Sequence, residues 1–212
     1  MRVNPFSDTL SFLTTSGWTT VVFWLLLLAS VGIAFLNYRR NPGQRSALHV
    51  WNWLSRLFIG GLWWQQSLWK LPPTYTDQPD GSGGLRYWME QMVRGASFAA
   101  QADFVKKIVL PHFYFFAPQV YAGEVLVAVS LMLGLFTRVG GFLGALMAVN
   151  LWLGLYRLNS EWPWTYFFLV VIQIMFVAYR PGRSFGLDAL IRGEESAAVS
   201  KHWWTRLTEL VA

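Results

Sequence analysis

Glu124 is the side chain in this sequence that most directly invites a chemical role. It is the only charged residue between positions 117 and 137, in a stretch long enough to cross a membrane. A carboxyl group at membrane depth has to be protonated, be paired, or face a polar cavity. Two hypotheses follow: Glu124 acts as a catalytic proton acceptor, or it forms a hydrogen bond that joins two helices.

A second set of side chains could form a binding pocket together with Glu124. They are aromatic or hydrogen-bonding residues in or near the apolar segments: Trp63, Trp64, Gln65, Lys70 and Arg138. A quinone ring needs flat apolar walls and one or two hydrogen-bonding groups, and this set offers both. The remaining polar side chains at membrane depth are typical of contacts between helices: Gln66, Asn150 and Gln173.

Depth in the membrane determines which of these residues can pair with Glu124. The nearest candidates by depth are Lys70, Gln65 and Gln66. Arg138 lies fourteen residues further along the chain, about 21 Å away at 1.5 Å per helical residue, which is too far for a direct ion pair. We therefore expect Arg138 to lie in the headgroup layer or to pair with Asp188.

The sequence contains no recognisable redox centre. Cysteine is absent, which excludes disulfides, Cys-ligated zinc and iron–sulfur clusters. His49, His112 and His202 lie at or beyond the ends of the apolar segments and form no pair for haem or a catalytic metal. No nucleotide-binding motif is present. We predict no metal site and no covalently bound or motif-bound cofactor, which leaves quinone as the candidate.

The composition is that of a membrane protein. Hydrophobic residues make up 54% of the 212 residues and charged residues only 13%, against about 25% charged in soluble domains. The net charge of +6 could suggest a nucleic-acid partner, but the basic residues form short clusters between apolar runs, as in cytoplasmic membrane loops. We predict lipid contact and no nucleic-acid partner.

Five apolar segments predict five transmembrane helices. They cover residues 18–36, 50–69, 117–137, 139–156 and 162–179. The first lacks the basic start and cleavage site of a secretion signal and is expected to be retained. Arg56 interrupts the second, and we expect its side chain to snorkel to the headgroups while the other polar residues of that helix turn inward.

Arginine and lysine counts predict an external N-terminus and a cytoplasmic C-terminus in the inner membrane. The long connection 70–116 then lies outside, and its residues 85–96 have the periodicity of an amphipathic helix, with Trp88, Met89 and Met92 on the apolar face. It either caps the bundle or lies along the membrane surface. Residues 193–212 predict a cytoplasmic amphipathic tail.

Gly123 and Glu124, followed by Gly-Leu-Phe-Thr-Arg at 134–138, resemble the motif that joins two membrane helices in the DoxX/DoxD family. The resemblance runs from about residue 52 to 192 and includes further matching positions: Gly60, Gly61, Lys70, residues 162–166 and residues 182–190. It implies a four-helix membrane domain at 50–192. The N-terminal extension 1–49 then adds one helix to an all-α integral membrane protein.

The resemblance also implies a function, because one family member is the membrane subunit of thiosulfate:quinone oxidoreductase. In that enzyme electrons from thiosulfate enter the quinone pool. One hypothesis is therefore a quinone-reactive subunit of an electron-transfer complex. The other is a non-catalytic accessory subunit that packs against other subunits of a respiratory or photosynthetic complex. A small-molecule carrier has less support, because no inverted repeat is visible.

Overall fold

A computed structural model describes residues 4–77 and 84–197 of the chain. It confirms the all-α fold class: within these ranges there are nine α-helices and no strand. The helices are α1 (Pro5–Thr14), α2 (Trp18–Arg40), α3 (Ala47–Ser67), α4 (Leu85–Gly95), α5 (Ala99–Phe104), α6 (Phe113–Leu133), α7 (Thr137–Leu155), α8 (Pro163–Tyr179) and α9 (Leu187–Ala197).

The chain is a multi-pass membrane protein. Among the described residues, α2, α6 and α7 are long and apolar enough to cross a membrane, and α8 is a shorter apolar helix. The helix α3 has 21 residues, enough length for a crossing at 1.5 Å per residue. Five crossings and the direction of the termini stay predictions. The helix α6 begins at Phe113, four residues before the expected start of its apolar segment.

Small residues let α7 and α8 pack closely. Gly141 and Gly144 are buried on α7: a Cβ atom added at Gly141 would lie 3.0 Å from the Gln173 carbonyl oxygen on α8, and one added at Gly144 would lie 2.6 Å from the Gln173 side-chain amide. Small residues at such an interface allow two membrane helices to approach. The side chain of Gln173 is fully buried in this contact, as expected for a residue between helices.

Arg56 does not snorkel, so that expectation is wrong. Its side chain is 0% exposed and donates three hydrogen bonds: from Nη1 to the Leu131 carbonyl (2.6 Å), from Nη2 to the Ser184 carbonyl (3.0 Å) and from Nε to the Pro181 carbonyl (3.1 Å). Leu131 lies in the last turn of α6, where carbonyl groups have no partner within the helix. The guanidinium satisfies that carbonyl and two others in the turn after α8.

The turn between α6 and α7 requires glycine at position 134. Gly134 has φ +68°, and a Cβ atom there would lie 2.5 Å from Nη1 of Arg56. A side chain at this position would therefore be strained and would also displace the buried guanidinium.

Asp188 caps the N-terminus of α7 from a distant part of the chain. Its carboxylate accepts hydrogen bonds from the backbone N–H groups of Phe136 (2.7 Å) and Thr137 (3.1 Å) and from the Thr137 hydroxyl (2.8 Å). Burial raises the pKa of Asp188, while these hydrogen bonds and the nearby Arg56 charge lower it. Arg138 therefore does not pair with Asp188, whose oxygens bind the start of α7; its other expected position, in the headgroup layer, stays a prediction.

The connection 70–116 is largely helical and docks on the end of the bundle. We call residues 85–109, which comprise α4, α5 and a π-helical turn at Val105–Val109, the cap. The predicted amphipathic helix is confirmed as α4, with Met89 and Met92 buried and Trp88 half-buried. The Ser97 N–H donates to the Leu153 carbonyl (2.8 Å) and the Arg157 N–H to the Gly95 carbonyl (2.9 Å), which join the cap to the end of α7.

The N-terminal extension packs against the four-helix part. The Phe23 ring of α2 lies in the buried core together with Trp63 and Trp64 of α3. The Asn37 side chain donates to the Gly186 carbonyl (3.0 Å), which ties the end of α2 to the turn before α9. Residues 198–212, which hold most of the predicted amphipathic tail, lie outside the described residues, and α9 extends to Ala197.

Replacing Arg56 by methionine is expected to destabilise the fold more than any loss of an exposed arginine. The substitution leaves the Leu131 and Ser184 carbonyls without the Arg56 donor, and the Pro181 carbonyl with only the Ser184 N–H. We expect the free energy of unfolding to fall by about 3 kcal/mol or more. Denaturant unfolding in detergent measures this. Arg45→Met is the matched control, because Arg45 is exposed; equal losses in the two variants would contradict a structural role for Arg56.

Candidate functional site

Glu124 and Lys70 form a buried ion pair. The Lys70 ammonium donates to Oε1 of Glu124, and each residue is only 4% exposed. Lys70 was one of three partners that depth predicted, and the structure selects it. The attraction between the two buried charges offsets the free energy lost when both leave water. Either charge buried alone would not be compensated in this way.

The antiparallel packing of α3 and α6 produces this pair. At one end of the two helices Arg56 binds the Leu131 carbonyl, and at the other Lys70 binds Glu124. A 3₁₀ turn at Leu68–Lys70 follows α3 directly and carries Lys70 to the depth of Glu124. The ammonium also lies 4.0 Å from the centroid of the Trp69 ring, a cation–π contact that adds to its stabilisation.

The segment after Lys70 folds back over the pair. The Thr76 hydroxyl donates to the Trp69 carbonyl, and the Tyr75 N–H donates to the Leu71 carbonyl (3.0 Å). Tyr75 and Thr76 both have positive φ, 51° and 55°, a conformation that is costly for a β-branched residue. The Tyr75 ring contacts the Tyr121 ring, centroid to centroid 6.2 Å, and Tyr121 lies one helical turn before Glu124.

Three buried polar atoms near this end of α3 and α6 have no hydrogen-bond partner among the described residues. They are Oε2 of Glu124, Nε1 of Trp63 and Nε1 of Trp64. Buried polar atoms normally have a hydrogen-bond partner, so three such atoms without one require an explanation. The carboxylate oxygen can accept a proton or a hydrogen bond, and the indole N–H groups can donate to a carbonyl oxygen.

The other two candidate residues do not join this group. Gln65 is exposed, as is Gln66, so the expectation that the polar residues of this helix turn inward is wrong for both. Their side chains lie on the outer face of α3. Arg138 is the second residue of α7 and lies at the opposite end of the bundle from Glu124.

The cap closes the region above the ion pair. Trp69, Tyr75 and Val120 pack against a buried cluster of the cap and the start of α6: Leu85, Met89, Val105, Val109, Phe113 and Ala117. Sequence analysis missed Tyr75 and Tyr121. Tyr121 was recognisable from its position three residues before Glu124, on the same helix face, whereas Tyr75 depends on a turn.

An ion pair anchors the start of the cap. Arg86 on α4 donates to the Asp77 carboxylate, and its guanidinium lies 4.7 Å from the centroid of the Phe113 ring. The hydrogen bond from Arg86 holds the pKa of Asp77 below its usual value. The pair therefore contributes stability at neutral pH that is lost as the pH falls through the lowered pKa of Asp77.

No group of three His, Asp or Glu side chains that could hold a metal ion occurs in the described ranges 4–77 and 84–197. What the site offers is a carboxylate and an ammonium ion, with aromatic rings around them.

The chain matches a known protein-family model. The family model DoxD, described as the TQO small subunit DoxD, matches residues 56–211. No curated protein and no solved structure shows a significant match. The matched range begins at Arg56 and includes both members of the buried ion pair.

Replacing either member of the pair by an apolar residue is expected to cost more than replacing both. Glu124→Leu leaves the Lys70 charge buried and unpaired, and Lys70→Met does the same to Glu124. In a double-mutant cycle measured by unfolding in detergent, we expect an interaction energy of about 1–3 kcal/mol. Additive losses would show that the two charges do not depend on each other.

The cap is expected to open more often when its anchor is removed. Asp77→Asn weakens the acceptor of Arg86, so trypsin should cleave faster after Arg94 in the cap. Asp103→Asn is the control, since its ion pair with Lys107 is exposed and contributes little. Equal cleavage rates in the two variants would exclude Asp77 as the anchor.

Proposed function

This chain belongs to the DoxD family, whose description is the TQO small subunit DoxD. From this we propose that it is the membrane subunit of a quinone-linked electron-transfer complex, like that small subunit. Quinone reduction consumes two electrons and two protons. In this proposal the electrons come from a donor held by another subunit. What this chain can provide is a place for the quinone ring and a group that handles a proton.

The buried Glu124 with its unpaired oxygen carries this proposal. Oε1 accepts from Lys70, whereas Oε2 has no partner among the described residues and is free for a hydroxyl group of a quinol. A carboxylate within hydrogen-bond reach can take up a proton as quinol is oxidised or return one as quinone is reduced. The Lys70 charge favours the ionised form of this carboxylate, and its burial favours the protonated form.

The aromatic residues around the pair suit a quinone ring. Trp69 and Tyr75 provide flat apolar surfaces next to Lys70. Trp63 and Trp64 on α3, which precede Lys70 in the chain, have indole N–H donors without a partner. A quinone carbonyl oxygen needs such a hydrogen-bond donor. The cap covers this region and would keep the ring away from bulk water.

The alternative function is that of an accessory subunit, in which Glu124 only stabilises the bundle. The exposed apolar face of α2 favours it, since this extra helix is free for contact with another subunit: Val21, Leu25, Leu28, Val31 and Phe35. In this case the Lys70–Glu124 pair is a structural contact between helices.

Glu124→Gln separates the two functions. The glutamine carbonyl can still accept from Lys70, so the variant should assemble, but it cannot take a proton. We expect quinone reduction by the intact purified complex to fall by a factor of about 10 or more, because general acid–base groups contribute factors of about 100 to 10,000.

Glu90→Gln is the matched control, since it removes another carboxylate at the same end of the protein, on α4. Subunit content is measured in both preparations. Normal activity of Glu124→Gln at normal subunit content would remove the proposed role of Glu124 and support the accessory function.

A further inference from the structure

Four arginines converge at the end of the bundle opposite the cap. Arg138 is the second residue of α7, Arg180 and Arg183 belong to the turn after α8, and Arg192 lies on α9. We call these four residues the basic cluster. Two hydrogen bonds bring their elements together: the Gly182 N–H donates to the Thr137 hydroxyl (3.2 Å), and this hydroxyl donates to Asp188 on α9 (2.8 Å).

The basic cluster has few compensating charges around it. Among the side chains that the structure describes, none of its members forms an ion pair. Nε of Arg138 and Nε of Arg183 are buried without a hydrogen-bond acceptor. Asp188 lies nearby, but its carboxylate accepts from the N-terminus of α7.

Mutual repulsion acts on the cluster. Burial and the charges of Arg192, Arg180 and Arg138 lower the pKa of Arg183, and only the Asp188 charge opposes them. Unpaired, partly buried guanidinium groups therefore remain at a place where an anion would be stabilised by several donors at once.

Exposed apolar surface lies directly beside the cluster. Tyr179, immediately before Arg180, is 74% exposed, and Val139 and Phe142, in the first two turns of α7, are also exposed. A free anion would gain nothing from this surface. A molecule with an anionic head and apolar chains would match both parts.

We propose that the basic cluster binds the phosphate group of an anionic phospholipid, whose acyl chains lie along the exposed faces of α7 and α8. The guanidinium groups of Arg138 and Arg183 donate to phosphate oxygens, and Arg180 and Arg192 add positive charge around the headgroup. This site is separate from the Lys70–Glu124 pair, at the opposite end of the bundle.

The site is tested on the full-length protein in phosphatidylcholine nanodiscs with increasing fractions of phosphatidylglycerol. Bound phosphatidylglycerol is counted by native mass spectrometry, and the thermal unfolding midpoint is recorded in parallel. Arg183→Gln and Arg138→Gln each remove one guanidinium charge. Arg39→Gln is the matched control, because it removes one arginine at the same end of the bundle, near the end of α2.

We expect phosphatidylglycerol to raise the unfolding midpoint of the native protein and of Arg39→Gln. Each cluster variant should bind it about fivefold more weakly, the factor that corresponds to about 1 kcal/mol per basic residue. In pure phosphatidylcholine, Arg183→Gln should unfold no earlier than the native protein, because the substitution relieves repulsion. Arg138→Gln gives an independent test should Arg183→Gln not fold.

Three results would overturn the proposal. Equal loss in Arg39→Gln and the cluster variants would mean diffuse attraction to a basic surface. Equal stabilisation by inorganic phosphate at the same concentration would mean a site for a free anion. No effect of phosphatidylglycerol would leave an acidic segment of a partner protein as the occupant of the cluster.

Discussion

A buried arginine that has to find acceptors organises one end of this protein. Arg56 has no access to solvent, so its charge must be stabilised by protein atoms alone, and it binds the Leu131, Pro181 and Ser184 carbonyls. These belong to the end of α6 and to the turn after α8. Asp188 complements it by binding the start of α7. A cation at a helix C-terminus and an anion at the next N-terminus both complement helix dipoles, so two charges close the α6–α7 turn.

The two ends of the bundle differ in whether their charged side chains form ion pairs. At the cap end, Lys70 and Glu124 are paired and covered by aromatic rings, and Asp77 compensates Arg86. At the opposite end, the basic cluster has no carboxylate partner in the described part of the chain. A carboxylate in contact with an ammonium group suits a site where protons move, because each group can take up or release a proton. Uncompensated arginines suit contact with anionic headgroups.

Family membership and geometry support different parts of the functional proposal. Membership of the DoxD family and the long apolar helices support a membrane subunit that resembles the TQO small subunit. The geometry points to Glu124, since its second oxygen is the buried acceptor without a partner next to Lys70. The proposal thus combines a reaction inferred from the family with a residue inferred from burial.

The sequence by itself determined the elements and the depth of the polar groups. Long apolar runs predict membrane helices because their length matches the bilayer, and depth along a helix placed Lys70 among the partners of Glu124. The environment of each charge was decided by the tertiary structure. Sequence periodicity shows where a residue lies on its own helix and not what another helix places opposite it. Arg56 was therefore expected at the headgroups, Asp188 beside Arg138, and Gln65 in the interior; the packing of α3 against α6 and the return of the chain after α8 decided otherwise.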